Sequence, residues 1–197
     1  MIRLQLPRSR FARSAALVGA GTMLAQLVTL AASPLVTRIY NPEAFGNFFV
    51  IQSVSLPLAA GIAMRLEYAV PLPRNDLVAS TLARLAVTTA VIASVLTLGA
   101  LVLFNSLMAE PLGFSAAPLH LVWIAPLAGS VAIFNVLNAI ALRGQKFRIL
   151  AVRQLLVAAA TVGGQVLGGL ATSLFGFLVG SAVLGYICGA LLVAASI

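Results

Sequence analysis

Apolar residues fill this chain in long blocks, and the charged residues stand almost only between the blocks. From Leu85 to Ile197 the chain has one acid, Glu110, and four bases, Arg143, Lys146, Arg148 and Arg153. A helix rising 1.5 Å per residue needs about 20 apolar residues to cross the hydrocarbon core of a bilayer. The pattern predicts spans at 14–36, 45–64, 85–104, 119–142, 154–173 and 176–197. The last two come from one uncharged tract, Gln154 to Ile197, which is roughly twice a membrane thickness and so turns back once, near Ser173 to Gly176. The expected fold class is all-α, a polytopic membrane bundle of six helices behind a basic tail at 1–13.

Local signals sharpen the boundaries. In Asn41-Pro42-Glu43 a capping residue precedes a proline suited to the first helical position and an acid at the positive end of the helix dipole. Pro71-Leu72-Pro73 reads as extended chain, and Asn75-Asp76 as a helix start. The third helix is therefore expected to begin before the membrane, near Leu77, with Arg84 snorkelling toward the headgroups. Pro57 and Pro126 fall inside hydrophobic runs, where a missing backbone donor kinks or loosens a helix. Such a proline either lines a mobile cavity or simply packs. Gly164 with Gly168, Gly176 with Gly180 and Gly185 with Gly189 recur at four-residue spacing and predict close helix contacts.

Charge then orients the bundle. Lys and Arg in short loops are retained on the cytoplasmic side. Arg3, Arg8, Arg10 and Arg13, then Arg65, Arg74 and Arg84, then the Arg143–Arg153 cluster fall on one side, against Arg38 alone on the other. Both termini are expected in the cytoplasm. The net charge of +8 is thereby explained without nucleic acid, which would need a basic face on a soluble domain. The first span is too long for the apolar core of a cleaved signal and is followed by five more. Cys188 has no second cysteine to pair with, and His120 reads as an interfacial or capping residue, so no metal site is expected. No phosphate loop, nucleophile elbow or membrane-depth acid pair is present, and neither an enzyme nor a cofactor is expected. The Gly19-Ala20-Gly21 stretch lacks the strand that a dinucleotide fingerprint requires.

Polar residues near membrane depth are the functional candidates, because burying an ionisable group in lipid is costly. Arg65 and Glu67 follow the second span, either inside a cavity mouth or as a solvated cytoplasmic cap. Arg38 breaks the charge rule and either serves a ligand or pairs at the interface with Glu43. Gln26, Gln52, Asn135, Asn138 and Gln165 lie within spans, where helix-to-helix hydrogen bonding is the plain reading.

The run from Ser33 through Arg38-Ile39-Tyr40-Asn41-Pro42-Glu43-Ala44-Phe45-Gly46, and then Arg65-Leu66-Glu67-Tyr68-Ala69-Val70-Pro71-Leu72-Pro73, resembles the start of bacterial oligosaccharide flippases. These form the polysaccharide branch of the multidrug/oligosaccharidyl-lipid/polysaccharide exporter superfamily. The segment from Asn135 to Arg148, with Arg153 opening the next span, is similar to that family's connection between its fourth and fifth helices. The resemblance implies transport of an undecaprenyl-diphosphate oligosaccharide across a bacterial inner membrane for surface polysaccharide such as O-antigen. It implies a fold of two six-helix lobes around a central cavity that works by alternating access. Arg38 and Arg65 become head-group candidates, and Glu67 a candidate for proton or cation coupling. The implied partners are membrane lipid, the lipid-linked oligosaccharide, and a second lobe or a second copy. The chain has one lobe's worth of spans, so it is expected to be the N-terminal half of such a transporter. A non-transporting scaffold or inactive remnant, and a drug or metabolite antiporter of the same fold, are the alternatives. An antiporter more typically carries acids within its helices, and these spans hold essentially none.

Overall fold

The computed structural model describes residues 8–105, 107, 111, 118–172 and 175–196, and among these the chain is helical with no strand. The helices are α1 (Arg8–Ile39), α2 (Pro42–Ile62), α3 (Asp76–Leu103), α4 (Ile124–Arg143), α5 (Phe147–Thr172) and α6 (Phe175–Ser196). Six stretches are long and apolar enough to cross a membrane, and the chain is an all-α polytopic bundle. The turn expected near Ser173 lies between the end of α5 at Thr172 and the start of α6 at Phe175, partly outside the described residues.

Several helices outrun the apolar blocks. At 32 residues α1 is about 48 Å long, and it takes Arg10 and Arg13 into the helix rather than leaving them in a tail. A helix satisfies its own backbone and so continues into the headgroups, where long basic side chains meet water. Several hydroxyls inside the spans are satisfied by their own helix: Thr22 donates to Val18 O, Thr29 to Ala25 O and Thr97 to Ala93 O at 2.8–3.1 Å.

Asn75 caps as read, the Leu77 N–H donating to its Oδ1 at 3.0 Å as α3 begins. Asn41 stands extended at the N-cap position ahead of Pro42, but its side chain makes no capping hydrogen bond. Pro126 departs from expectation. A 3-10 turn, Pro118–Trp123, carries the chain in, and α4 starts only at Ile124, so Pro126 stands in a first turn whose N–H groups need no helical partner. It lies inside the apolar span His120–Arg143, as read, but at the start of the α-helical part and not in its middle. Pro57, by contrast, lies inside α2, which continues through it.

Helix α4 is the hub, packed by α2, α3 and α6. Ser55 of α2 donates to Ile124 O at 3.3 Å and Ser94 of α3 donates to Ala125 O at 3.0 Å, so two neighbours hang from adjacent carbonyls of its first turn. Its middle is built of small residues, Ala128 and Ala132 meeting Ala59, Ala63 and Ala90. Larger side chains fill one end of the bundle, where Tyr40, Phe48, Ile51, Leu121, Ile124 and Phe175 form a cluster. At the other end Arg143 bonds Asp76 at 2.6 Å and also donates to Pro73 O, tying the exit of α4 to the entrance of α3.

Helices α5 and α6 form a tight antiparallel pair. Gly164 faces Ser181, Gly168 faces Phe177, Gly185 faces Thr161 and Gly189 faces Val157, and at each a Cβ would come within 3 Å of its neighbour. Gly176 and Gly180 stand instead opposite Trp123, where a Cβ would meet the indole at an ordinary contact distance of 3.5–3.8 Å, so those two do not set the α5–α6 distance. Helix α1 lies along α5, with Gly21 against the backbone of Ala151 and Gly169 beneath Ile39 and Tyr40.

Candidate functional site

Only Tyr40 and Asn41 separate α1 from α2, yet the two helices take different supports, α1 against α5 and α2 against α4. They diverge from the Tyr40 end and leave a cleft of about 820 Å³, floored by α5 and α6. Helical periodicity decides what it shows. On α1 the stripe is Thr22, Gln26, Thr29, Ser33 and Val36; on α5 it is Gln154, Ala158, Thr161 and Gln165. From α2 come Phe45, Phe48, Phe49 and Gln52, and from α6 Ala182 and Tyr186.

The lining is mostly apolar, with amides and hydroxyls set into it, and carries no Asp, Glu, Lys or Arg. Gln165 is buried and donates Nε2 to Leu178 O at 3.4 Å. Gln26, Gln52 and Gln154 make no side-chain hydrogen bond to protein among the described residues, which leaves three amides, each a donor and an acceptor, directed at the cleft. Phe45, Phe48 and Phe49 form a three-ring cluster with centroids 5.1–6.3 Å apart, and Phe49 is 54% exposed on the cleft wall.

The narrow end is locked. Tyr40 is buried, its hydroxyl donates to Gln165 O at 2.9 Å, and burial pushes that hydroxyl above its ordinary 10.0, so it remains a proton donor.

The three charged candidates lie outside this cleft. Arg38 is exposed in the last turn of α1, at the Tyr40 end. Arg65 and Glu67 follow α2 at the opposite end, about 31 Å away along its 21 residues. The structure thus brings Arg65 and Glu67 together on one turn and keeps Arg38 apart from both. Met64 and Arg65 have positive φ, 47° and 55°, a left-handed pair that reverses the chain into the 3-10 turn Leu66–Tyr68. Arg65 remains exposed, stacked 5.6 Å from the Tyr68 ring centroid. Glu67 turns inward, 8% exposed, with Oε2 unpartnered among the described residues.

One buried cation escapes a reading by charge clusters. Arg153, in the second turn of α5, is 5% exposed, 4.6 Å over the Phe134 ring, with Nε and Nη1 unpartnered among the described residues. Phe134 in turn meets Tyr186 edge-on at 5.4 Å, and Arg153 is not among the residues that line the cleft. Its signal in the sequence is spacing: Arg153 shares a helix face with buried Leu150, three residues before it. Lys146 and Arg148 instead line an open depression with Arg13 at the surface. His120 stacks on Phe175 at 4.1 Å, at the Tyr40 end. Asn135 and Asn138 are half-buried on α4 and do not line the cleft.

Compared with protein-family models, curated proteins and solved structures, the chain matches none of them.

Proposed function

We propose that this chain is a transport lobe of a lipid-linked oligosaccharide flippase, seated in a bacterial inner membrane with its N-terminus in the cytoplasm. The observation that carries the reading is the cleft: uncharged amides and hydroxyls held at bilayer depth between helices whose outer faces are apolar. Polar side chains at that depth belong beside protein or a water-filled path, since lipid cannot hydrogen-bond them. A polar head group passes through such a path while its lipid tail stays in the bilayer.

The charge distribution supports the orientation. Arg13, Arg65, Arg143, Lys146 and Arg148 gather at the end of the bundle away from Tyr40, and retention of basic loops makes that end cytoplasmic. The cleft then narrows toward the outside, as an inward-facing state of an alternating-access cycle does. Arg65 stands where a diphosphate arrives and Arg38 where it leaves, two stations about 31 Å apart rather than one site. Glu67, buried beside Arg65, is the group for proton or cation coupling. The open side of the cleft faces a second lobe or a second copy.

The test uses the purified chain in proteoliposomes of bacterial phospholipid, with undecaprenyl-diphosphate disaccharide as ligand. Saturable binding, lost when Gln52→Trp fills the cleft, is the expected result. Leaflet exchange of the same lipid, with and without a second lobe, then reads transport. Absence of binding rejects the flippase and favours a scaffold.

A further inference from the structure

Taking the transport reading as its starting point, we infer that the cleft recognises the sugar of the ligand, not its phosphates, and selects uncharged sugars over acidic ones. The lining carries the argument. Each of Gln26, Gln52 and Gln154 offers one acceptor and two donor hydrogens with no protein partner among the described residues. A sugar hydroxyl likewise donates and accepts, so amides match a polyol in either sense. Thr29 of α1 and Thr161 of α5 add hydroxyl oxygens. On α2 the exposed face of Phe49, beside Gln52, offers an apolar surface to the C–H face of a pyranose ring. The volume, about 820 Å³, lies within the roughly 300–1,000 Å³ of small-ligand sites.

Charge decides between sugars. A carboxylate brought into this cleft meets no Lys or Arg on its walls and gives up its water without a counter-ion. The buried cation Arg153 is held over the Phe134 ring and is not part of the cleft lining. The phosphates find no cation here either, and they belong with the basic residues at the end of the bundle. Recognition is therefore divided: neutral amides read the sugar, and arginines outside the cleft hold the diphosphate.

The experiment measures affinity of the purified chain in nanodiscs for three probes: undecaprenyl diphosphate, the same carrier with a neutral disaccharide, and the same carrier with a disaccharide containing a uronic acid. The neutral glycolipid is expected to bind about tenfold tighter than the bare carrier, the gain of one or two net hydrogen bonds. The acidic glycolipid is expected to bind no better than the bare carrier. Gln52→Leu with Gln154→Leu closes the gap between neutral and bare carriers. Gln154→Arg supplies the missing cation and turns the preference toward the acidic sugar, a gain that a misfolded variant cannot show. Equal affinity for neutral and bare carriers overturns the sugar site while leaving a lipid-diphosphate transporter standing. Preference of the unmodified chain for the acidic probe overturns the selectivity alone. Failure to bind any of the three overturns the transport reading and the inference together.

Discussion

Helices α1 and α4 are almost equally apolar, yet 67% of the most apolar window of α4 is buried in the protein, against 11% for α1. Position in the bundle separates them. Helix α4 buries large residues, Ile124, Leu127 and Phe134, together with small ones, Ala125, Ala128, Gly129 and Ala132, among three neighbouring helices, while α1 lies mainly along α5 and turns Met23, Leu24, Leu27 and Leu30 outward. Hydropathy rewards removal from water, and lipid removes a side chain from water as well as protein does. What favours a protein neighbour over lipid is close approach of backbones, which small residues permit. The hub of this bundle is therefore set by how many helices meet it, with small residues such as Ala128 and Ala132 where α2 and α3 come closest and larger ones between.

The largest effect that tests this contrast comes from overpacking the hub. Ala132→Phe, at a fully buried position, is expected to lower stability by about 1–3 kcal/mol in a detergent unfolding titration, whereas Leu24→Ala on α1 should move it by under about 0.5 kcal/mol. Similar losses for the two would break the comparison. Next comes Arg153→Met, which replaces a buried cation lacking an acid with an apolar chain of similar length. Stability should hold or rise by about 1 kcal/mol, since relief of desolvation offsets loss of the ring contact. A marked loss in thermal unfolding would instead make Arg153 a structural pin between α4 and α5. Tyr40→Phe removes the hydroxyl bonded to Gln165 O and is expected to cost about 1 kcal/mol. Spin labels on α1 and α2 would then report a broader distance distribution at the Tyr40 end, and an unchanged one would argue against a lock. The smallest effect belongs to Asp76→Asn. That carboxylate is 94% exposed, so its pair with Arg143 is expected to contribute under about 1 kcal/mol and to fade in high salt.

The number of spans and their order were legible because each uncharged block is long enough for one crossing and the charges separate the blocks. The capping signals at Asn41 and Asn75 located two helix starts within a residue, since they act over one turn. Lengths were less legible: α1 and α5 begin several residues before their apolar blocks, because hydrogen bonding inside a helix is indifferent to whether its side chains lie in lipid or water. Pro126 looked like an interruption only because the 3-10 turn ahead of α4 leaves no trace in hydropathy. The cleft was the least legible part. Gln26, Gln52 and Gln165 could be named from the sequence as polar residues at depth, but their convergence depends on how three helices rotate about their axes. That rotation is set by contacts such as Gly21 on Ala151, between residues far apart in the chain.

The contacts at Tyr40 and Gly21 act on α1 as two rivets on one strip. The Tyr40–Gln165 bond, with Gly169 beneath it, and the approach of Gly21 to Ala151 fasten α1 to α5 at points about 28 Å apart. A strip riveted twice does not pivot about either point, so α1 and α5 move as one body. Any widening of the cleft is then left to α2, which rests on α4.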